Sequence, residues 1–274
     1  MELNLDFYIK DLNEEQLEAV TYSDGPLLVI AGAGSGKTRV LTYKIAYLLH
    51  TGVHPRNILS LTFTNKAAKE MNQRIASIVG GEKIKSLWSG TFHSVFSRML
   101  RMESESVGFT HDFFFYDAYD TKSLLKSIIK ENDLDDKIYK PSLLAGRISE
   151  AKNLLILPEQ YVGDASLVKR DQTDGVSEIA KIYLEYNRRL RHANAMDFDD
   201  LLLNTYLLLK NNDGIRKKYQ DRFTCILVDE YQDTNLAQHR IISQLTNSNT
   251  LICVVGDDAQ SIYGFRGANI DNIL

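Results

Sequence analysis

One eight-residue segment, at positions 31–38, restricts the possible folds of this chain more than any other. It follows an apolar run and precedes a helical pattern that begins at Lys37. Small residues let the backbone curl until its N–H groups, at the positive end of the helix, face phosphate oxygens. The segment consists of Ala31, Gly32, Ala33, Gly34, Ser35, Gly36, Lys37 and Thr38. Lys37 would reach the β- and γ-phosphates and the Thr38 hydroxyl would bind magnesium, so the segment predicts a P-loop that binds ATP and Mg²⁺.

Five short apolar runs predict buried strands, because each is bounded by Gly, Pro, Asn or Asp. They lie at 27–31, 58–63, 86–90, 224–229 and 251–256. Helical patterns cover 37–50, 65–79 and 92–102, and another follows Asp233 and continues to Leu245. Strands that alternate with helices in this way predict an α/β fold with a mostly parallel sheet and helices on both faces.

The stretch from 110 to 196 has a different character. It contains no convincing strand pattern, and helical patterns lie at 121–131, 141–152 and 176–191. We therefore expect a helical insertion subdomain at 110–196. It would interrupt a discontinuous nucleotide-binding domain formed by 1–109 and 197–274.

The bulk composition narrows the class of protein. The net charge is −4, so a general affinity for polyanions is not indicated and any nucleic acid would need a local groove. No apolar run reaches the roughly 20 residues of a membrane span. The N-terminus lacks the pattern of a signal peptide, so we expect a cytoplasmic location and no membrane partner. Cys225 and Cys253 lie in apolar runs, which indicates small buried side chains rather than a disulfide or a metal site.

Two adjacent acids end the apolar run that begins at 224. Asp229 comes directly after the run and Glu230 follows it. In a P-loop domain, a strand at this place supplies an aspartate to the magnesium ion, a role that we assign to Asp229. Glu230 is then placed to orient or deprotonate the attacking water. The alternative is a pair of solvated carboxylates at a strand end, and the P-loop upstream favours the first interpretation.

Seven blocks of the chain, taken together and in order, resemble the motifs of the UvrD/Rep/PcrA family of superfamily 1 DNA helicases. The blocks are LNEEQ at 12–16, AGAGSGKT at 31–38, LTFTNKAA at 61–68, GTFHS at 90–94, DFDDLL at 197–202, DEYQD at 229–233 and GDDAQSIYGFRGA at 256–268. The resemblance implies a RecA-like P-loop NTPase domain with a parallel sheet and an inserted all-helical subdomain.

The resemblance also implies roles at the nucleotide. Gln16 would recognise the edge of the adenine and Arg39 would lie against the adenine ring. Gln260 would sense the γ-phosphate and report it to the DNA site. The catalytic residues implied in this way are Lys37, Asp229, Glu230 and Gln260.

DNA contacts are implied for residues that follow the strands. They are Phe63, Thr64, Asn65, Thr91, His93, Tyr263, Phe265 and Arg266. Stacking of bases on aromatic rings tolerates any sequence, as a motor on arbitrary DNA requires. Taken singly, each aromatic side chain could instead pack in the core and His93 could be structural. Asn65 could be a helix N-cap, which is compatible with a DNA contact.

The function implied by the resemblance is an ATP-dependent helicase or translocase that moves 3′ to 5′ on single-stranded DNA and acts at duplex junctions. The 274 residues would be the N-terminal part, without a second motor domain and with weak activity or none. Three alternatives stay open: the N-terminal part of a recombination helicase–nuclease, a module that only binds nucleotide and DNA, and an unrelated P-loop enzyme such as a small-molecule kinase. The sequence does not indicate an oligomeric state.

Overall fold

The structure is a computed structural model that describes residues 10–32 and 34–257. The chain divides into two compact units, Met1–Val95 with Leu209–Leu274 and Phe96–Leu208. The domain boundaries expected from the sequence, at 110 and 196, fall inside the second unit. They stay a prediction, because compactness alone does not define a domain.

Strands and helices alternate along the described residues, as the sequence predicts. The strands are β1 (Leu27–Ile30), β2 (Ile58–Thr62), β3 (Trp88–Thr91), β4 (Phe114–Tyr116), β5 (Ala195–Asp197), β6 (Cys225–Val228) and β7 (Leu251–Gly256). The helices are α1 (Glu14–Thr21), α2 (Lys37–His50), α3 (Asn65–Val79), α4 (Gly81–Ile84), α5 (Phe92–Met102), α6 (Ala118–Glu131), α7 (Pro141–Asn153), α8 (Pro158–Gly163), α9 (Ala165–Thr173), α10 (Ile179–His192), α11 (Phe198–Asn211), α12 (Asp213–Arg222) and α13 (Leu236–Leu245). Short 3₁₀ helices lie at Pro55–Asn57, Ser104–Val107 and Tyr231–Asp233.

The first unit contains a five-stranded sheet with the strand order β1-β7-β6-β2-β3. Every neighbouring pair in it is parallel, so all five strands present their carboxyl ends at one edge. Every residue of β2 and β6, in the middle of the sheet, is buried. The predicted α/β fold with a parallel sheet is confirmed.

The strand order decides which loops become neighbours. β7 and β6 lie between β1 and β2, although β1 and β2 follow each other in the sequence. The loop after β1 therefore lies beside the carboxyl ends of β7 and β6, and the loops after β2 and β3 lie further along the same edge. Ligands of open parallel sheets bind at such an edge, where the strand order changes direction.

The second unit is mainly helical and has its own apolar core, to which α6, α7, α8 and α10 contribute. No strand was predicted from the sequence between 110 and 196, and this prediction was wrong. β4 and β5 form a two-stranded parallel sheet in which Phe114 pairs with Ala195 and Tyr116 pairs with Asp197. Each strand has three residues, which is too few for an alternating pattern to be recognised in a sequence.

Buried charges connect several elements of the second unit. The ammonium group of Lys152, on α7, lies 2.6 Å from the Asp197 carboxylate and 2.7 Å from the Asp200 carboxylate. The Tyr186 hydroxyl, on α10, donates to Asp197 at 2.8 Å. Burial and the neighbouring Asp197 charge raise the pKa of Asp200 to about 7. Breaking such a buried ion pair by removing one partner is strongly destabilising, so this cluster fixes how the elements of the unit pack.

The described helices were also compared with the requirements of a membrane span. Among residues 10–32 and 34–257, none combines the length and the apolar composition that crossing a bilayer demands.

Candidate active site

The segment 31–38 leaves β1 as a curled loop and ends in α2. The Ala31 N–H donates to the carbonyl of Gly256 at 3.0 Å, which attaches the start of the loop to the end of β7. The Ser35 hydroxyl donates to the carbonyl of Gly32 at 2.6 Å. Gly34 and Gly36 have φ angles of +77° and +89°, which only glycine adopts without strain. The loop therefore has the curled backbone that phosphate binding requires, and Ala33 lies outside the described residues.

Gln16 on α1 is fastened to this loop. Its side-chain Nε2 donates to the carbonyl of Ser35 at 2.8 Å. Its Oε1 accepts from the backbone N–H of Asn13 at 3.2 Å, within a capping box. A Cβ at Gly36 would lie 2.7 Å from Gln16 Nε2, so glycine at this position leaves room for the Gln16 amide. The sequence did not predict this contact, and the adenine role of Gln16 stays a prediction.

A buried lysine anchors α1 from its other end. Lys44 of α2 has no solvent exposure and its ammonium group donates to the carbonyls of Ala19, Val20 and Tyr22 at 2.9, 3.4 and 2.6 Å. A cation at a helix C-terminus satisfies carbonyls that have no partner inside the helix. Arg39, the second residue expected at the adenine, is exposed and donates to the carbonyl of Asp11 at 3.2 Å.

Asp229 and Thr38 bring two oxygen atoms together. Asp229 follows β6, its backbone N–H donates to the carbonyl of Leu61 at 2.9 Å, and it is 3% exposed. Its Oδ2 accepts from the Thr38 hydroxyl at 3.5 Å. Burial and the adjacent Glu230 charge raise the pKa of Asp229 to about 6. A cation bound here would favour the ionised carboxylate and relieve the cost of burying it.

The two oxygens fit a magnesium site. Mg²⁺ prefers oxygen ligands in octahedral geometry and is usually held by one or two protein groups, with phosphate and water in the other positions. Neighbouring ligands in such a site are about 3 Å apart, close to the separation of the Thr38 and Asp229 oxygens. Within residues 10–32 and 34–257, no group of three or more His, Cys, Asp or Glu side chains is arranged to hold a metal ion.

Glu230 has a strained backbone beside the loop. Its φ angle is +49°, in the left-handed region, and a residue other than glycine adopts this region at a cost. Its backbone N–H donates to Asp229 Oδ1 at 3.1 Å. Its side chain is 37% exposed and Oε2 lies 3.9 Å from Lys37 Nζ. The carboxylate therefore faces the same space as the lysine and remains accessible to water.

Lys37 has a carboxylate partner that the sequence analysis missed. Its ammonium group donates to Asp257 Oδ2 at 3.1 Å, and the two side chains are 8% and 2% exposed. A phosphate at the loop would compete with Asp257 for this cation. Gln232 was also missed: it donates to Glu230 Oε2 at 2.9 Å and accepts from the Asp257 N–H at 3.0 Å. The signal in the sequence was that Gln232 and Asp257 both come shortly after a predicted strand. The two residues meet because β6 and β7 are neighbours in the sheet.

Five of the residues expected to contact DNA lie in the described part of the chain, at the carboxyl ends of β2 and β3 or directly after them. Phe63 is half-buried and its ring centroid lies 5.4 Å from that of Phe92. Thr64, not Asn65, is the N-cap of α3, and its hydroxyl accepts from the Ala67 N–H at 3.1 Å. The N-cap interpretation of Asn65 was therefore wrong by one residue. Thr64 is preferred because a capping hydroxyl must precede the first helical residue.

The remaining residues of this group divide between described and undescribed parts of the chain. Thr91 ends β3 and its hydroxyl accepts from the Ser94 N–H at 3.2 Å, and His93 is half-buried in the first turn of α5. Gln260, Tyr263, Phe265 and Arg266 lie outside the described residues. The catalytic and DNA-binding roles of all these residues stay predictions.

Replacing Asp229 with asparagine should stabilise the ligand-free protein. The pKa of Asp229 is raised to about 6, so its ionisation costs stability as the pH rises from about 4, the ordinary value of an aspartate, to about 6. At pH 7.5 the variant should gain up to about 3 kcal/mol of unfolding free energy, and this gain should vanish below about pH 4. Urea denaturation at both pH values measures the gain.

The matched control for this variant is Asp24→Asn, at an exposed position before β1. It should not change the unfolding free energy measurably at either pH. A second readout is the increase in unfolding free energy when Mg²⁺ and nucleotide are added, since a ligand that binds the folded state stabilises it. This increase should be lost in Asp229→Asn and kept in Asp24→Asn. Equal stability of Asp229→Asn and the parent protein at pH 7.5 would contradict the expectation.

Comparison with known proteins gives a family. Residues 12–274 match the UvrD/REP helicase N-terminal domain. The chain is 46% identical over 268 residues to the ATP-dependent DNA helicase PcrA of Staphylococcus epidermidis, a match that covers 97% of this chain and 36% of the relative. It is 44% identical over 268 residues, with the same coverage, to the ATP-dependent DNA helicase PcrA of Staphylococcus aureus. The chain thus spans about a third of the length of the curated relatives that it matches.

Proposed function

The chain belongs to the UvrD/REP helicase family, and from this premise we propose that it is the ATP- and DNA-binding part of a 3′-to-5′ DNA helicase or translocase. The observation that carries the proposal is a single continuous edge of the sheet. One half of it, after β1, β7 and β6, holds the glycine-rich loop 31–38 and three acids, Asp229, Glu230 and Asp257. The other half, after β2 and β3, holds an aromatic ring and hydroxyl groups.

The two halves are connected through the backbone. The Asp229 N–H donates to the carbonyl of Leu61 at 2.9 Å, two residues before Phe63. In the next pair of strands, Thr62 is opposite Thr91. A displacement of Asp229 therefore acts directly on the strand that carries Phe63. Coupling of this kind is what a motor needs, because it must convert a change at the nucleotide into a change at the DNA.

The nucleotide that we propose is ATP with Mg²⁺. The N–H groups of the loop 31–38 would hold the phosphates, and Lys37 would exchange Asp257 for the β- and γ-phosphates. Thr38 and Asp229 would hold the magnesium ion, which neutralises charge on the phosphates. Gln16 and Arg39 would contact the adenine. Adenine would have to replace the hydrogen bonds that the Gln16 amide makes to Ser35 and Asn13.

The proposed reaction is hydrolysis of the γ-phosphate. Glu230 takes a proton from a water molecule while the water oxygen bonds to the γ-phosphorus. The bond between that phosphorus and the bridging oxygen breaks, ADP leaves with the bond electrons, and phosphate is released. Lys37 stabilises the negative charge that accumulates on the phosphate oxygens. We propose that Gln260 senses the γ-phosphate.

The proposed partner is single-stranded DNA, including the single strand at a duplex junction. Phe63 offers a ring for a base and Thr64, Asn65, Thr91 and His93 offer polar groups for the backbone. Tyr263, Phe265 and Arg266 would extend this track. With a net charge of −4 for the chain, stacking and local contacts must provide much of the affinity, since the bulk charge opposes it.

The test of the proposed function is ATP hydrolysis measured with and without single-stranded DNA. We expect the full-length protein to hydrolyse ATP, to be stimulated by DNA and to displace a strand from a substrate with a 3′ overhang but not from one with a 5′ overhang. For the 274-residue chain alone we expect binding of nucleotide but turnover about 10³–10⁵ times slower, if an arginine from elsewhere completes the γ-phosphate site. Failure of the full-length protein to respond to DNA would refute the helicase proposal.

Two other functions would give different results in the same experiment. A small-molecule kinase would hydrolyse or transfer phosphate without any response to DNA. A helicase–nuclease would also shorten the DNA, so that labelled mononucleotides or short oligonucleotides would appear with time. Neither is favoured by an observation among residues 10–32 and 34–257.

Replacing Phe63 with alanine should weaken binding of single-stranded DNA about five- to a hundredfold, since stacking on one base contributes about 1–3 kcal/mol. Fluorescence anisotropy with a labelled oligonucleotide at low salt measures the affinity. Phe63→Leu keeps an apolar contact with Phe92 but loses the ring. It should therefore bind DNA as weakly as Phe63→Ala while unfolding at a temperature closer to that of the parent.

The control is Tyr22→Ala, because Tyr22 is an exposed aromatic residue before β1, at the amino end of the strands. It should leave the DNA affinity unchanged within about twofold, since no base is expected to stack there. Wild-type DNA affinity in both Phe63 variants would remove this residue from the proposed track.

A further inference from the structure

Gln232 connects two segments of the site that are far apart in the sequence. It is 1% exposed and lies in the 3₁₀ turn Tyr231–Asp233 that directly follows Glu230. Its Nε2 donates to Glu230 Oε2 at 2.9 Å. Its Oε1 accepts from the backbone N–H of Asp257 at 3.0 Å. Both ends of one buried amide are thus used, each by a different strand end.

The chemistry of the partners fixes the orientation of the amide. A backbone N–H can only donate, and an ionised carboxylate can only accept. If the amide were rotated by 180°, its NH₂ would face the Asp257 N–H and its oxygen would face the Glu230 carboxylate. Both contacts would be repulsive, so the observed arrangement is the one in which both buried groups are satisfied.

The same residues meet Lys37, which closes a ring of contacts. Lys37 Nζ lies 3.1 Å from Asp257 Oδ2 and 3.9 Å from Glu230 Oε2. Glu230 itself has a left-handed backbone conformation, and its side chain is 37% exposed. A partly exposed carboxylate at the end of three rotatable bonds does not keep one direction unless a neighbour holds it. Gln232 is the buried neighbour that does so.

We propose that Gln232 is a positioning residue for hydrolysis. It holds the Glu230 carboxylate toward the phosphate-binding loop and ties it to residue 257, so that the acid and the end of β7 move together. The proposal rests on the proposed function, in which Glu230 acts on the attacking water. Gln232 itself touches neither nucleotide nor water in this role. Its loss should therefore lower kcat and leave nucleotide binding nearly unchanged.

The main variant is Gln232→Glu, which has the same size and retains the oxygen that accepts from Asp257. It places a second carboxylate where Nε2 lies 2.9 Å from Glu230. Two carboxylates at this distance share one proton, and the pair needs a higher pH to ionise fully. We expect kcat for ATP in the full-length protein with DNA to fall about ten- to a hundredfold at pH 7. The acidic limb of its pH profile should move upward. At pH 9 kcat should still lie below that of the parent, because two ionised carboxylates repel each other and Glu230 has lost the donor that holds it.

A second variant removes both hydrogen bonds without adding a charge. Gln232→Met should lower kcat about tenfold or more at every pH, with the acidic limb where the parent has it. In both variants the Kd for Mg–ATP should change by less than about threefold, because the phosphate-binding loop is untouched. The matched control is Gln244→Glu, a half-buried glutamine at the end of α13, which should alter neither kcat nor the pH profile.

The outcomes separate this inference from the proposed function. If the parent protein hydrolyses ATP and Gln232→Glu has the parent's kcat and pH profile, the positioning role is wrong and the proposed function stands. The positioning role is also wrong if Gln232→Glu loses activity through a higher Kd for Mg–ATP while the acidic limb of its pH profile does not move. That result would indicate that Gln232 only supports the fold. A parent protein without ATP hydrolysis would overturn both.

Discussion

Replacing Lys37 with alanine should reduce ATP turnover by the full-length protein at least about a hundred- to a thousandfold, the loss expected when a preorganised donor to the reacting phosphate is removed. Lys37 is the first residue of α2 and its ammonium group lies between Asp257 and Glu230. No shorter side chain can reach the phosphates from this position. Turnover with saturating DNA, and Mg–ATP affinity by titration of a fluorescent analogue, measure the two consequences.

The same substitution should also destabilise the folded protein. Lys37 is 8% exposed and its partner Asp257 is 2% exposed, so the variant removes a cation from beside a buried carboxylate. Removing one partner of a buried ion pair costs about 3–5 kcal/mol. A fall in turnover could then reflect unfolding, and a second variant is needed to separate the two effects.

The double variant Lys37→Ala with Asp257→Asn provides that separation. It removes the buried charge together with its partner, so most of the lost stability should return. Turnover should stay as low as in Lys37→Ala, because the cation at the phosphates is still missing. The loss expected for one donor is far larger than threefold. If the stable double variant turns over ATP within about threefold of the parent's rate, Lys37 has no part in the reaction.

Much of the sheet could be predicted because its signals are local. The run predicted at 58–63 is the strand Ile58–Thr62, and the helix predicted at 65–79 is Asn65–Val79. The strand ends, and the helix begins, close to the polar residues that interrupt the apolar pattern. The N-cap shows the limit of this reasoning: Thr64 and Asn65 are both good capping residues, and only the backbone conformation of Thr64 decides between them.

The contacts that complete the candidate site could not be predicted in the same way. Gln232 and Asp257 are 25 residues apart, and they meet because β6 and β7 are neighbours in the sheet. A sequence pattern places each residue at a strand end but does not give the strand order. The Lys37–Asp257 pair, 220 residues apart, depends on the same order. The short strands β4 and β5 were missed for a related reason, because their pairing is non-local and each is too short for a period.

These contacts suggest how the ligand-free site is kept intact. Lys37 is held by Asp257, Gln16 is held by Ser35, and Thr38 is held by Asp229. Each partner is a group that a bound nucleotide or cation would replace or join. Binding of the proposed nucleotide would therefore exchange existing contacts for new ones, which lowers its entropic cost. Asp229 and Glu230 are the exception, since the repulsion between their carboxylates raises the pKa of Asp229 and would be relieved further by a bound cation.

Glu230→Gln should separate binding from hydrolysis more cleanly than any other substitution. We expect kcat to fall about 10²–10⁴-fold, the usual contribution of a general base. The glutamine side-chain oxygen can still accept from Gln232, and the substitution does not touch the backbone of the loop. Mg–ATP should therefore bind at least as tightly as in the parent protein.

The pH dependence of binding gives this variant an independent readout. Two causes raise the pKa of Asp229 to about 6: burial, which is the larger, and the charge on Glu230. Removing that charge lowers the pKa of Asp229 toward its ordinary value, so the carboxylate stays ionised to a lower pH. Binding of Mg–ATP, which requires the ionised form, should weaken at a lower pH in Glu230→Gln than in the parent. The affinity is measured from pH 5 to pH 8.

A control and a double variant complete the argument for Glu230. Glu18→Gln, at an exposed position on α1, removes the same charge elsewhere and should leave both kcat and the pH dependence of binding unchanged. Combining Glu230→Gln with Gln232→Met should lower kcat no further than Glu230→Gln alone, because Gln232 acts through the carboxylate that is already gone. A further loss in the double variant would mean that Gln232 contributes independently of Glu230. Hydrolysis at the parent's rate in Glu230→Gln would assign the base to another residue.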